Sequence, residues 1–134
     1  MTILIADDDN DDKFLIQIAF KEKGYSSRLV FVEDGFELLS YLENSNEENY
    51  PGIILFDINM PGKNGLEVLH EIKQNHMFKR IPVIVFTATY NEQIFAKCYD
   101  LGANTCIVKP STFDDLLHII DQVYSYWLHT ATIV

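Results

Sequence analysis

Basic charge is scarce in this chain. Ten lysines and arginines face twenty aspartates and glutamates over 134 residues, a formal net charge of −10. Nucleic-acid affinity comes largely from Lys and Arg neutralising phosphates, so this balance excludes DNA or RNA as a direct partner. Anionic membrane surfaces are disfavoured for the same reason. Cysteine is nearly lacking. Cys98 and Cys106 are the only two, which excludes a disulfide framework or a zinc site and leaves two thiols in apolar surroundings. No apolar run approaches the ~20 residues that cross a bilayer. The opening MTILIADDD turns acidic too soon for an export signal, so the expected location is cytoplasmic. Low-complexity tracts and repeats of fixed period are also missing.

What is present is an ordinary globular composition, 48% hydrophobic and 22% charged, in a length that suits one domain. Short apolar runs alternate with longer helical patterns. Strands are expected at 2–6, 28–32, 53–56, 81–87 and 105–108. The first, third, fourth and fifth are nearly all apolar, which fits strands buried on both faces. Between them lie helical stretches: 12–24 with Phe14, Leu15, Ile18 and Ala19, 34–44 with Phe36, Leu39 and Leu42, and 65–75 with Leu66, Leu69 and Ile72. A fourth covers 91–102, and a fifth covers 111–128 behind an N-cap at Ser111 or Thr112. Fivefold βα alternation implies a parallel sheet with helices on both sides, an α/β three-layer sandwich.

The polar residues fall at strand ends. Asp7 and Asp8 close the first strand, Asp57 the third, Thr87 the fourth, and Lys109, followed by Pro110, the fifth. In a parallel sheet these ends share one edge, where open α/β sheets bind ligands. Carboxylates crowded there repel by about 4 kcal/mol per pair at ~4 Å and an effective dielectric near 20. Lys109 offsets part of this, and a divalent cation would offset the rest. An all-oxygen, carboxylate-rich donor set suits Mg²⁺. A carboxylate nucleophile with a cation, a hydroxyl and an ammonium around it is equipped to accept a phosphoryl group.

Five separated segments, ILIADDD, LFDINMPGKNGLEVL, PVIVFTA and LGANTCIVKP among them, resemble the receiver domain of two-component response regulators. The resemblance spans residues 2 to about 127. It implies a flavodoxin-like (βα)5 fold with strand order 2-1-3-4-5, a receiver domain over 1–128, a short tail at 129–134, and no effector domain. It implies that Asp57 is the phosphoacceptor, that Asp8 binds Mg²⁺ directly and Asp7 mainly through water, and that Asn59 offers its backbone carbonyl to the metal. Thr87 would bond a phosphoryl oxygen, Lys109 would pair with it, and small Ala88 would leave room. The resemblance also allows a cis Lys109–Pro110 bond. Asn59 and Thr89 occupy places where the family tunes the lifetime of the phosphate, so the chain would be a signalling protein with slow self-dephosphorylation rather than an enzyme. The implied donor is a sensor histidine kinase or a histidine phosphotransfer protein. The implied output is altered binding of a downstream protein, or of a second copy as a homodimer, through a face running from Ile94 to Asp100, across Cys106, and from Asp114 to Trp127. Output onward through a phosphorelay is the other form of the same reading.

One position departs from the family. Three residues before the site lysine many members carry Tyr or Phe, and here it is Cys106. Phe95 and Tyr99 are the aromatics placed to compensate, and each reads equally as core or as exposed patch. The departure keeps open a phosphate-independent receiver-like binding module. Taken singly, Asp57 reads as a turn aspartate, Thr87 as a strand cap, and Lys109 as a strand-end lysine. Asp11 and Asp12 suit a helix start. A calcium EF-hand fails because its loop needs Gly at Asp12 and Glu at Ile18. A phosphatase built on Asp7 and Asp9 leaves Asp57 without a role. His70, His76, His118 and His129 lack neighbours at metal-binding spacing and read as structural.

Overall fold

The computed structural model describes residues 1–25 and 27–132. Five strands, β1 (Thr2–Ala6), β2 (Arg28–Val32), β3 (Ile53–Phe56), β4 (Val83–Thr87) and β5 (Thr105–Val108), alternate with five helices. The helices are α1 (Asn10–Lys23), α2 (Gly35–Glu43), α3 (Gly65–Gln74), α4 (Glu92–Asp100) and α5 (Phe113–Ser125). All strand pairs are parallel, in the order β2-β1-β3-β4-β5. This is the expected flavodoxin-like topology. No helix among the described residues is long and apolar enough to cross a membrane.

The three layers follow from the two-residue period of a strand. Leu4, Ala6, Ile54, Phe56, Val83 and Val85 point to one side and meet Leu38 and Leu42 of α2, Val68, Leu69 and Ile72 of α3, and Cys98 of α4. Their neighbours Ile3, Ile5, Ile53, Leu55, Ile84 and Phe86 point to the other and meet Ile16, Ala19 and Phe20 of α1 and Leu116, Ile120 and Val123 of α5. Each fully buried Leu, Ile or Phe contributes roughly 1.5–3 kcal/mol. β1, β3 and β4 therefore need apolar residues at every position, as the sequence shows.

Polar side chains set the helix starts. Asp9, Asp34, Asn64, Asn91 and Thr112 each accept a backbone N–H from the first turn of the helix that follows. Gly24 closes α1 in the left-handed conformation, φ 70°. β4 begins at Val83 rather than residue 81. Pro82 has no N–H to give, and the Val83 N–H is taken by Asn104 Oδ1 at 2.9 Å. The same oxygen accepts from Lys73 Nζ at 2.9 Å, and Lys73 also donates to the carbonyls of Lys79 and Ile81 at 3.1 and 2.8 Å. This strut ties the end of α3 to the starts of β4 and β5. Burial pulls the Lys73 ammonium down to a pKa of about 8.

Three expectations are corrected. The inner stripe of α1 is Ile16, Ala19 and Phe20, whereas Phe14 and Leu15 face solvent, 60% and 37% exposed. In α2 the buried residues are Leu38 and Leu42, and Phe36 is 63% exposed. β5 is an edge strand with no fully buried residue. It is half-covered on both faces, with Cys106 packed against the α2–α3–α4 layer and Ile107 against the α1–α5 layer.

Gly65 sits where α3 enters behind the turn that follows β3. A Cβ there would run into the carbonyl oxygen and side chain of Ile58. Gly65→Ala is expected to cost about 1–3 kcal/mol. It should appear as a lower urea midpoint at unchanged m-value.

Candidate functional site

In the order 2-1-3-4-5, the chain leaves β1 for one side of the sheet and returns to the other at β3. The crevice between their carboxyl ends is the switch point. Asp7 follows β1 there and Asp57 follows β3. Each is locked by the ladder it terminates: Asp7 N–H donates to Val32 O at 3.0 Å, and Asp57 N–H to Ala6 O at 2.9 Å. Each then uses one carboxylate oxygen to accept the amide two residues on. Asp9 N–H reaches Asp7 Oδ1 at 2.9 Å, and Asn59 N–H reaches Asp57 Oδ1 at 3.0 Å. These Asx-type bonds turn the chain out of the sheet and fix both carboxylates.

Both second oxygens go to Lys109. Its Nζ donates to Asp7 Oδ2 at 2.6 Å, Asp57 Oδ2 at 3.0 Å and Asp12 Oδ2 at 2.8 Å. The lysine side chain is 8% exposed and that of Asp7 2%. Burial alone would lower the ammonium, but Asp12, Asp7 and Asp57 outweigh it and raise its pKa above the ordinary lysine value. Asp7 shifts upward because burial dominates over Lys109 and the Asp9 amide. The pocket thus holds Asp7 charged only under strain.

Thr87 ends β4 and is 1% exposed, and its Oγ1 accepts from Asn59 Nδ2 at 3.0 Å. Asp8 lies exposed at the rim, and the cleft is completed by Asn59, Ala88 and the acids of the β1–α1 turn. Carboxylate oxygens of Asp7, Asp8 and Asp57 all lie within 4.8 Å of one another. Among the described residues this is the only cluster of its kind. The donor set is all oxygen and exceeds in charge what one ammonium neutralises, so it fits a hard divalent cation. The four histidines are exposed and stand apart from it.

The structure brings together Asp7, Asp8, Asp57, Asn59, Thr87 and Lys109 at one crevice. It adds Asp12, which sequence reasoning read as a helix-start acid only. With Asp9 as the cap, Asp12 stands in the first turn of α1, over the cleft, and that spacing was the available signal. The Lys109–Pro110 bond is trans, as are all peptide bonds among the described residues. Tyr99, 50% exposed, is no core residue: its hydroxyl accepts the N–H of Cys106 at 3.0 Å. Phe95 packs edge-on against Tyr90 with ring centroids 5.3 Å apart.

A doubly wound parallel sheet with a buried lysine bridging two strand-end aspartates defines a receiver that carries signals. The chain belongs to the response regulator receiver domain family, whose model matches residues 3–121. It is 37% identical to the response regulator Rcp1 of Synechocystis sp. over 98% of this chain and 91% of that protein. It is 31% identical to the probable methanogenesis regulatory protein FilR2 of Methanothrix harundinacea, over 94% of this chain and 83% of the other. Among solved structures, the phosphorylated cyanobacterial phytochrome response regulator RcpA superposes with a TM-score of 0.90 at 37% identity, covering 98% of this chain and 96% of that one. The Mn²⁺-bound form of Rcp1 gives 0.87 at 35%, covering 99% and 98%.

Because burial raises Asp7, the charged carboxylate lowers stability at neutral pH. Asp7→Asn is expected to raise unfolding free energy in chelator by ~0.5–2 kcal/mol. The sign of the pH dependence follows. Folded Asp7 takes up its proton at a higher pH than unfolded Asp7, so wild type gains on the variant as pH falls from neutrality through the raised value towards 4. Urea midpoints of both proteins over that range check it, and a gap that widens on acidification would overturn it.

Proposed function

We propose that Asp57 accepts a phosphoryl group from the phosphohistidine of a sensor histidine kinase or a histidine phosphotransfer protein. The observation that carries this is the three-way seat of Lys109 on Asp7, Asp12 and Asp57, beside the Asp7–Asp8–Asp57 oxygen cluster. An Asp57 carboxylate oxygen attacks phosphorus, an O–P bond forms, the P–N bond breaks, and its electron pair returns to the donor imidazole. Asp7, Asp8 and Asp57, with the backbone carbonyl of Asn59, are the residues that would hold Mg²⁺. When bound, the ion supplies positive charge against the phosphoryl oxygens. Lys109, already against Asp57 Oδ2, needs only a short shift to pair with a second phosphoryl oxygen. The Thr87 hydroxyl stands at the same mouth; it accepts from Asn59 Nδ2 and keeps its own proton to donate to a third.

Support for the phosphorylated state comes from the likeness to RcpA, and for a divalent cation from the likeness to Mn²⁺-bound Rcp1. The output face we assign is α4, Cys106 and α5 through Trp127, which the Thr87 end of β4 adjoins through β5. Phosphorylation shifts the population of two arrangements of that face and so its affinity for a downstream protein.

Intact mass after incubation with acetyl phosphate and Mg²⁺ tests the reading. Wild type should gain one phosphoryl group, and Asp57→Asn none. A chelator should reduce labelling of wild type at least tenfold. Labelling of Asp57→Asn would remove Asp57 from its role. Labelling that survives chelation would remove the metal. A folded, cation-binding wild type that neither acetyl phosphate nor any phosphohistidine donor labels would make the chain a binding module.

A further inference from the structure

The amino ends of β1, β3 and β4, at the opposite edge of the sheet from Asp57, border a cavity of about 360 Å³. That lies within the range of small-molecule sites, roughly 300–1,000 Å³. Met1 and Leu128 close over Gly52, just before β3, where a Cβ would run into both side chains. Two braced rings wall the space. Tyr50 stands edge-on against the buried Phe78, with centroids 5.7 Å apart, and Trp127 edge-on against Tyr126, with centroids 5.0 Å apart. Trp127 and Leu128 reach it on a π-helical turn, Tyr126–Thr130, that follows α5. Such turns are rare and occur often at functional sites. The connection from α3 to β4 brings Met77 and Arg80 to the rim. It is held in place, since Asn75 Oδ1 accepts the N–H groups of Met77 and Phe78 at 2.8 and 3.0 Å, and Lys73 Nζ holds Ile81 O at 2.8 Å. Arg80 is in no ion pair among the described residues. The Tyr50 hydroxyl and the Trp127 indole N–H add two further donors. Glu47 shares the rim and disfavours a second negative charge on a ligand.

We propose that this cavity is a binding site for an aromatic monocarboxylate. The ligand's ring fills the space bordered by Tyr50, Trp127 and the thioethers of Met1 and Met77. Sulfur packs favourably against ring edges, and aromatic walls select a flat apolar body. The Arg80 guanidinium, planar and without an acid of its own, takes the carboxylate on two parallel N–H groups. A neutral aromatic forgoes that bond, and a dianion meets Glu47. Trp127 is also the last residue of the face to which output is assigned. On that reading, a bound ligand holds the end of the face against Pro82 at the start of β4; the binding itself does not depend on it.

The test uses the full chain and 3-phenylpropanoate, with 3-phenylpropan-1-ol as the neutral control. Trp127 is the only tryptophan, so its emission reads the cavity directly. Titration should give a saturable change with a dissociation constant on the order of 1 mM or below. Arg80→Gln should weaken binding roughly tenfold, and Arg80→Lys less. Amide shifts in NMR spectra should gather at Gly52, Ile81 and Leu128 and spare Asp57. If Arg80→Gln fails to fold, the comparison of acid and alcohol on wild type decides. No saturable change up to ~10 mM, equal binding of the alcohol, or undiminished binding by folded Arg80→Gln would overturn the proposal. So would an emission change that follows protein concentration without the probe, which would give the cavity to a second copy of the chain.

Discussion

The crevice depends on one ammonium. Lys109 enters from the edge strand, is held by its own N–H on Thr87 O at 2.8 Å, and lays its charge between residues 102 and 52 positions away in sequence. Remove that charge and the ends of β1 and β3 carry buried acids with oxygens within 4.8 Å of each other and nothing between them, at a cost of several kcal/mol. Asp7 keeps a raised pKa even with the lysine present. The site thus holds a carboxylate whose charged form burial disfavours. That is the condition a site needs if an arriving cation and phosphoryl group are to change it.

Much of this was legible beforehand for a physical reason. β1, β3 and β4 are buried on both faces, so their composition has no freedom, and a charge at their carboxyl ends stands out. Asp7, Asp57 and Thr87 stand out that way, Lys109 ends the short apolar run of the edge strand β5, and the parallel sheet brings the four together. The helices were less legible. α1 carries Phe14, Leu15, Ile16, Ile18, Ala19 and Phe20, apolar around most of its circumference. Periodicity alone does not choose between the Phe14 side and the Ile16 side. Docking on Ile3, Ile5 and α5 chooses. Asp12 was missed for a related reason. An acid in a first helical turn has a sufficient local explanation, and its second partner is 97 residues away.

Cys106 shows how a departure from a family pattern is absorbed. A thiol fills less space than an aromatic ring, and β5 is left as a half-covered edge. Tyr99 covers it from α4 and supplies the hydroxyl that the Cys106 amide uses. Tyr90 and Phe95 extend this aromatic surface toward the loop that follows Thr87. The contact between α4 and β5 is thus made by side chains on the helix, so a displacement of α4 changes it directly.

In the proposed function, switching would follow from competition for the Lys109 donors. Asn59 Nδ2 occupies Thr87 Oγ1, and Lys109 Nζ occupies Asp57 Oδ2. A phosphoryl group on Asp57 brings about −2 charge and three strong acceptor oxygens. It would recruit the same hydroxyl and the same ammonium. Lys109 turned toward a phosphoryl oxygen would loosen from Asp12, while the Thr87 hydroxyl would give its proton to another and still accept from Asn59. The Lys109 ammonium has three N–H donors and all three are in use, so a bond to the phosphoryl group would displace one of them. Thr87 pairs with Val108, two residues along β5 from Cys106. A new bond at Thr87 would therefore be felt first at the β4–α4 loop and β5. In the proposed function, an acyl phosphate on Asp57 would compete with the carboxylates of Asp7 and Asp12 for this one ammonium.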